Sequence, residues 1–165
     1  MRSMKTRFEG NALGAASKPW VLTLIFICCT LPLPASAGLG GDAASVQADQ
    51  QYMNASQKIT VNTAAYTVYE LQTATGTVVR EYVSSSDTVF AIVWQGPSLP
   101  DLRQVLGSYF TQYTEAAQTQ HADHGHLVVQ QPELMVESSG RMRAFWGRAY
   151  LPGFLPQGVV VSEIQ

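Results

Sequence analysis

The run Val89-Phe90-Ala91-Ile92-Val93-Trp94 is apolar throughout and consists largely of β-branched and aromatic residues. A strand that is apolar on both faces is typical of the centre of a sheet whose two faces are both covered. Gly96-Pro97 follows the run and favours a turn, because proline has no N–H to donate to a neighbouring strand. These residues therefore predict a central strand over 88–95.

Shorter stretches of strand character lie on both sides of the central strand. Two precede it and three follow it, at 60–72, 77–83, 126–131, 134–138 and 141–151. Their alternating pattern and their β-branched and aromatic content are typical of half-buried strands. Residues 73–76 and 138–140 are predicted as tight turns, because each contains a glycine that can adopt positive φ. A short edge strand is also predicted over 159–164.

One amphipathic helix is predicted between the two groups of strands, over 99–117. Apolar residues recur there with the spacing of one helix face, at Leu102, Val105, Leu106, Tyr109, Phe110 and Tyr113. Three strands, one helix and three strands predict an α+β domain. We expect an antiparallel β-sheet of about six strands with the helix packed on one face.

The N-terminal residues predict a signal peptide over 1–37. Basic residues precede an apolar run, 20–33, that is too short to span a bilayer. Ala35-Ser36-Ala37 then supplies the small residues that signal peptidase requires, so cleavage is predicted before Gly38. A retained membrane anchor and a lipoprotein acylated at Cys28 or Cys29 remain as alternatives, although the bulky Ile27 disfavours the second.

Cleavage at that site changes the composition of the chain. The full chain has 165 residues and a formal charge of −2, whereas 38–165 carries six Lys and Arg, eleven Asp and Glu, and a charge of −5. This acidity argues against nucleic acid as a partner. Both cysteines lie in the predicted leader, which excludes a disulfide framework and thiol catalysis from 38–165. We expect a flexible segment over 38–57, a single domain over 58–165 and no stable membrane anchor after cleavage.

All three histidines of the chain lie within six residues, next to an aspartate. Imidazole and carboxylate groups are ligands for zinc and copper, so His121, Asp123, His124 and His126 are candidate metal ligands. The spacing matches no strong metal-binding signature, and a solvated loop is the competing interpretation. No other cofactor is indicated.

Basic and aromatic residues on the predicted sheet are the second candidate site. Arg148 shares one face of the last strand with Trp146, and Arg141 and Arg143 share the other face with Phe145. Either Arg148 or the Arg141/Arg143 pair therefore lies near apolar surface and needs an acidic partner, for which Glu81 and Glu137 are the candidates. Anion or carboxylate binding is the alternative role for the arginines. An exposed aromatic sheet face would add a binding platform. The candidate residues for a ligand or partner are Arg141, Arg143, Arg148, Trp94 and Trp146.

The sequence contains few residue patterns that are typical of catalytic sites. Glu70 and Glu81 lie on opposite arms of the first hairpin and form a possible carboxylate pair, although salt bridges with Arg80 or Lys58 are the usual outcome there. No G-x-S-x-G nucleophile elbow and no phosphate-binding glycine motif occurs. No catalytic residue is assigned.

Several strings of this sequence resemble domain of unknown function 2844, a family of exported proteins of Gram-negative bacteria. The strings are Thr75–Val83, Val89–Pro97 with Leu99–Leu102, Val136–Phe145 and Gly147–Pro152, together with Gly38-Leu39-Gly40-Gly41. The resemblance covers nearly all of 38–165. It implies export and one small domain, and it carries over no catalytic residue.

These patterns lead to one functional expectation and two alternatives. We expect an exported, periplasmic or secreted small domain that binds an envelope protein or a small ligand without catalysing a reaction. The alternatives are a periplasmic metal-binding protein that uses the His121–His126 loop, and a hydrolase of unrecognised type.

Overall fold

The computed structural model describes residues 38–119 and 125–165. Within them, seven strands form one antiparallel sheet in the order β1-β2-β3-β4-β7-β6-β5. The strands are β1 (Ser56–Asn62), β2 (Tyr66–Gln72), β3 (Val78–Ser84), β4 (Val89–Gly96), β5 (His126–Gln130), β6 (Met135–Arg141) and β7 (Ala144–Tyr150). The predicted α+β class and antiparallel sheet are confirmed, but the strand count differs from the expected six.

Strand β4 is central, as its composition predicts. It pairs with β3 on one side and with β7 on the other. Val89, Ile92 and Trp94 contribute to one hydrophobic core, and the remaining apolar residues of the strand contribute to a second core on the opposite face. A strand buried on both faces needs apolar side chains at every position, which explains the unbroken run.

Helices cover one face of the sheet, which we call the helix face. They are α1 (Ala43–Tyr52), α2 (Leu102–Leu106) and α3 (Phe110–Thr119), with a 3-10 turn over Gly107–Tyr109 between the last two. The predicted apolar stripe packs here: Val105 and Leu106 are fully buried, and its other members are partly buried against the same core. The single predicted helix is thus interrupted at Gly107, whose φ is +53°.

The segment after β7 covers the opposite face, which we call the tail face. Leu155, Val159, Val161 and Ile164 pack there against Phe90 and other residues of the second core. The predicted edge strand over 159–164 is a 3-10 helix over Val161–Glu163. This short helix belongs to the segment that covers the tail face, and it does not add a strand to an edge of the sheet.

Two other local predictions are wrong. The predicted strand over 60–72 is two strands, β1 and β2, because Thr63 closes a tight turn: its hydroxyl and its N–H both donate to the Tyr66 carbonyl, at 2.9 Å. The predicted turn over 138–140 lies inside β6. The β6–β7 turn is at Met142 and Arg143, where Arg141 pairs with Ala144.

The segment predicted to be flexible, 38–57, contains α1 and two fully buried apolar residues, Leu39 and Val46. The Leu39 N–H donates to the Val105 carbonyl and the Gly40 N–H to the Val89 carbonyl, both at 2.9 Å. Asp42 caps α1 by accepting from the Ser45 N–H at 3.0 Å. The sequence signal for this helix is weak because most of its apolar residues are alanines and its only large apolar residues are Val46 and Tyr52. None of the helices in 38–119 and 125–165 has the length and apolar character needed to cross a membrane.

Candidate functional site

A groove lies on the tail face, between the sheet and the segment that follows β7. Its volume is about 670 Å³. It is lined by Arg80, Gln95, Trp146, Arg148, Ser162, Ile164 and Gln165. We call this feature the arginine groove.

The register of the sheet places the two arginines of the groove. Val93 of β4 lies opposite Arg80 on β3 and opposite Arg148 on β7. The two arginines therefore flank one small, buried valine on the same face. Neighbouring strands are about 4.8 Å apart, so their backbones are separated by roughly 10 Å across β4.

A carboxylate holds each guanidinium by its Nε atom. Arg80 Nε lies 2.9 Å from Glu70, and Lys58 lies 2.8 Å from the same carboxylate. Arg148 Nε lies 2.9 Å from Glu137. Of the two acids considered as partners for a strand arginine, Glu137 pairs with Arg148 and Glu81 pairs with no arginine of the described residues. Of the two bases considered for Glu70, both Arg80 and Lys58 contact it. Lys58 and Arg80 also hold the pKa of Glu70 below its usual value.

The segment after β7 makes further contacts with both guanidiniums. Arg80 Nη1 donates to the Gln165 carbonyl at 3.5 Å, and Arg148 Nη1 donates to the Val161 carbonyl at 3.3 Å. Among the described residues, these bonds and the ion pairs leave Nη2 of each guanidinium without a hydrogen bond. Each arginine therefore keeps donor capacity at the groove.

Trp146 joins the arginine groove to a second, smaller depression of about 390 Å³. Gln95 and Trp146, which are paired across β4 and β7, line both. Arg143 and Phe145 line the smaller depression. The guanidinium carbon of Arg148 lies 6.0 Å from the centre of the Trp146 ring, at the limit of a cation–π contact. A flat apolar surface thus lies beside fixed positive charge.

The structure brings together three of the five predicted binding residues: Arg143, Arg148 and Trp146. Arg141 is exposed at the end of β6 and lines neither depression. Trp94 does not belong to a binding surface, because it is fully buried on the helix face. Arg80 and Gln95 are groove residues that the sequence analysis missed, since only the pairing of β4 with β7 places them beside Arg148.

The predicted carboxylate pair of Glu70 and Glu81 does not form. Glu70 lies opposite Arg80, and Glu81 lies opposite Tyr69. Successive residues of a strand point to opposite faces, so Glu70 lies on the tail face and Glu81 on the helix face.

Glu81 has a different acidic partner, Asp49 of α1, which the sequence analysis missed. Both residues are fully buried, and their side chains are neighbours whose charges influence each other. Burial raises the pKa of Asp49, and burial together with the neighbouring Asp49 charge raises the pKa of Glu81 well above its usual value. Because neither side chain is exposed, a substrate does not reach them in this conformation. No sequence pattern links 49 to 81, because the contact depends on how α1 packs.

Most of the predicted metal site lies outside the described residues. Only His126, at the start of β5, is described, and it is exposed. His121, Asp123 and His124 are not described. Across 38–119 and 125–165, no group of three or more His, Cys, Asp or Glu side chains is arranged to hold a metal ion.

Comparison with known proteins identifies a family and no annotated relative. Neither the search of curated proteins nor the search of solved structures returned a match. The family model described as "Protein of unknown function (DUF2844)" matches residues 35–164. That match spans most of the chain, including all seven strands and the three helices. The chain therefore belongs to the DUF2844 family.

Proposed function

We propose that this chain is an exported domain that binds a small anionic ligand in the arginine groove without catalysing a reaction. The observation that carries the proposal is the placement of Arg80 and Arg148 on either side of Val93, next to Trp146. Guanidinium groups bind carboxylates and phosphates through paired N–H donors. An indole ring beside them favours a ligand that also has a flat apolar part.

The ion pairs support a binding role because they order both arginines before a ligand arrives. Glu70 and Glu137 hold the Nε edges, so little side-chain entropy remains to be lost on binding. The carboxylates do not cancel all of the positive charge. Lys58 shares Glu70 with Arg80, and Arg143 lies in the adjoining depression. The groove therefore keeps a local positive potential in an otherwise acidic domain.

Calorimetry with simple probes tests the binding site. Benzene-1,3-dicarboxylate offers two carboxylates on a flat ring, and benzylamine offers the same ring with a positive charge. We expect the dicarboxylate to bind and benzylamine not to bind. Arg148→Gln should weaken dicarboxylate binding by about tenfold or more, because it removes a charged hydrogen-bond donor.

Arg141→Gln is the matched control, since it removes the same charge from an exposed residue outside both depressions. It should leave the affinity nearly unchanged. Equal losses in the two variants would mean that general electrostatics and not the groove attracts the anion. Binding of benzylamine as tight as that of the dicarboxylate would contradict an anion site.

Export rests on the leader pattern that ends at Ala35-Ser36-Ala37. Intact mass spectrometry of protein isolated from its own cell envelope tests it directly. We expect a mass that begins at Gly38. A mass that retains the apolar run over 20–33, or that includes a lipid on Cys28 or Cys29, would contradict export with cleavage after Ala37.

A further inference from the structure

The buried acids Asp49 and Glu81 lie where α1 meets the sheet, and we call them the carboxyl pair. Both side chains are completely buried. Asp49 Oδ2 and both carboxylate oxygens of Glu81 have no hydrogen-bond donor among the described residues. A buried polar atom without a partner is costly, and a buried unpaired charge costs more.

A single proton shared by the two carboxyl groups would remove one of the buried charges and provide a hydrogen-bond donor. Two carboxylates in contact cannot accept a hydrogen bond from each other unless one of them is protonated. Two neighbouring like charges in a buried site also disfavour double ionisation. One proton on the carboxyl pair would remove the second buried charge and would supply a donor for the oxygens that have none.

The neighbouring elements supply no cation to replace that proton. The Gln104 side-chain amide of α2 donates to Asp49 Oδ1, and the backbone of Gly38 helps to lower the pKa of Asp49. Both groups are neutral.

Tyr69 of β2 lies opposite Glu81 and carries no cationic group. The charged side chains nearby are engaged elsewhere. Tyr52 donates to Asp101 at 2.7 Å, and the guanidinium carbon of Arg103 lies 4.8 Å from the ring centre of Phe110.

Arg80 of β3 is paired with Glu70 on the tail face. Asp42 caps α1, and Asp87, beyond the end of β3, accepts from the Ala43 N–H at 3.0 Å.

The segment that contains Asp49 is held by a limited set of contacts. Leu39 and Val46 are its fully buried apolar side chains. The backbone bonds of Leu39 and Gly40 to Val105 and Val89, and of the Val89 N–H to the Gly41 carbonyl, fasten its first residues. Within α1 itself Val46 is the only fully buried apolar side chain, so the docking of α1 also depends on the state of the carboxyl pair.

We propose that docking of residues 38–53 onto the helix face is linked to one proton held between Asp49 and Glu81. The segment docks when the carboxyl pair holds the proton, and it detaches when both groups ionise. The docked state binds one more proton than the detached state. The ratio of detached to docked molecules therefore rises about tenfold per pH unit once the pH exceeds the value at which exposed carboxyl groups ionise.

Hydrogen exchange of the full chain tests the proposal, with each amide rate divided by its unfolded-chain rate at the same pH. Between about pH 5.5 and pH 7.5 the protection of residues 39–53 should fall by about a hundredfold. The amides of β4 should keep their protection over the same range, because the sheet does not depend on this proton.

Glu81→Gln should abolish this pH dependence, because the introduced amide donates to an ionised Asp49 without a shared proton. Asp49→Asn should do the same, and it serves as the second variant should Glu81→Gln fail to fold. Glu133→Gln neutralises an exposed glutamate and should behave as the parent does.

Three results would overturn the proposal. One is a parent segment whose protection does not change with pH. Another is a pH dependence that persists in either carboxyl-pair variant. The third is a loss of protection in β4 that keeps step with residues 39–53, which would mean that the whole domain unfolds and that docking is not a separate event.

Discussion

Gly147 lies directly opposite Trp94 in the β4–β7 pair. A Cβ atom there would overlap the indole ring of Trp94 and would lie 2.8 Å from the Glu137 carbonyl oxygen. Neither neighbour can move easily, because Trp94 is fully buried and the carbonyl belongs to the β6–β7 pair. Gly147→Ala is therefore expected to lower the free energy of unfolding by about 1–3 kcal/mol, measured by urea denaturation.

Gly153→Ala provides the control for this substitution. Gly153 lies in a 3-10 helix after β7, and a Cβ atom there meets nothing within 4 Å. Its free energy of unfolding should stay within about 0.5 kcal/mol of the parent value. A similar loss for both variants would mean that glycine is required at Gly147 for some reason other than the space that Trp94 occupies.

A second prediction at the scale of one residue concerns Glu70 and the stability of the fold at low pH. Its pKa is lowered by Lys58 and Arg80, so the folded state favours the ionised form. The stability that this adds is present above the ordinary glutamate pKa and is lost as the pH falls through the lowered value. Glu70→Gln should cost about 1 kcal/mol near pH 7, and the difference from the parent should shrink as the pH is lowered from 7 to 3.

Denaturation of both proteins across that pH range measures the effect, with Glu133→Gln as the exposed control. Lys58 is two-thirds exposed, at 66% of its side chain, so salt should weaken the Lys58 contribution. A gap between parent and Glu70→Gln that stays constant down to pH 3 would show that the ion pairs do not stabilise the fold.

At the scale of an element, we can predict how the turn of the β6–β7 hairpin affects stability. Its turn residue Arg143 has φ of +63°, a left-handed conformation that is costly for a residue with a side chain. Glycine adopts this conformation freely, so Arg143→Gly should raise the free energy of unfolding by about 1 kcal/mol.

Arg141→Gly changes the same residue type within the paired part of the hairpin. It should lower the free energy of unfolding by about 0.5–1 kcal/mol, because glycine weakens a strand interior. Thermal denaturation of the two variants checks the opposite signs. A loss of stability in Arg143→Gly would mean that the arginine side chain contributes more than the turn strain costs.

At the scale of the whole molecule, two hydrophobic cores lie on opposite faces of one sheet. The tail-face core is closed by the segment that follows β7, through Ile164 among others. Ile164 is 1% exposed, whereas Val160 is 54% exposed. Ile164→Ala should lower the free energy of unfolding by about 2–4 kcal/mol, because it leaves a cavity over the sheet.

Val160→Ala should change that free energy by less than about 0.5 kcal/mol. Urea denaturation of both variants measures the difference. Equal effects would mean that the segment after β7 only rests on the tail face and adds nothing to its core.

Short-range patterns account for the parts of the fold that the sequence predicted. The apolar run over 89–94 identifies the central strand, and the stripe that includes Val105 and Leu106 identifies the helical region. Both signals arise from residues close together in the chain. A helix with one buried face and a strand with two buried faces each require apolar residues at a characteristic spacing. Helix α1 gave almost no such signal, since it is held by Leu39, Val46 and hydrogen bonds to distant residues.

The sequence by itself therefore determined the α+β class, the central strand and the family resemblance, and it limited the ion-pair partners of the strand arginines and of Glu70 to a few candidates. Only the tertiary structure decided that β7 lies beside β4, which sets Arg80 and Arg148 around Val93. It also decided that Asp49 meets Glu81 and that Trp94 is buried. These contacts join residues far apart in the chain, and the packing of the whole domain selects them because no local period encodes the partner of a strand or of a buried side chain.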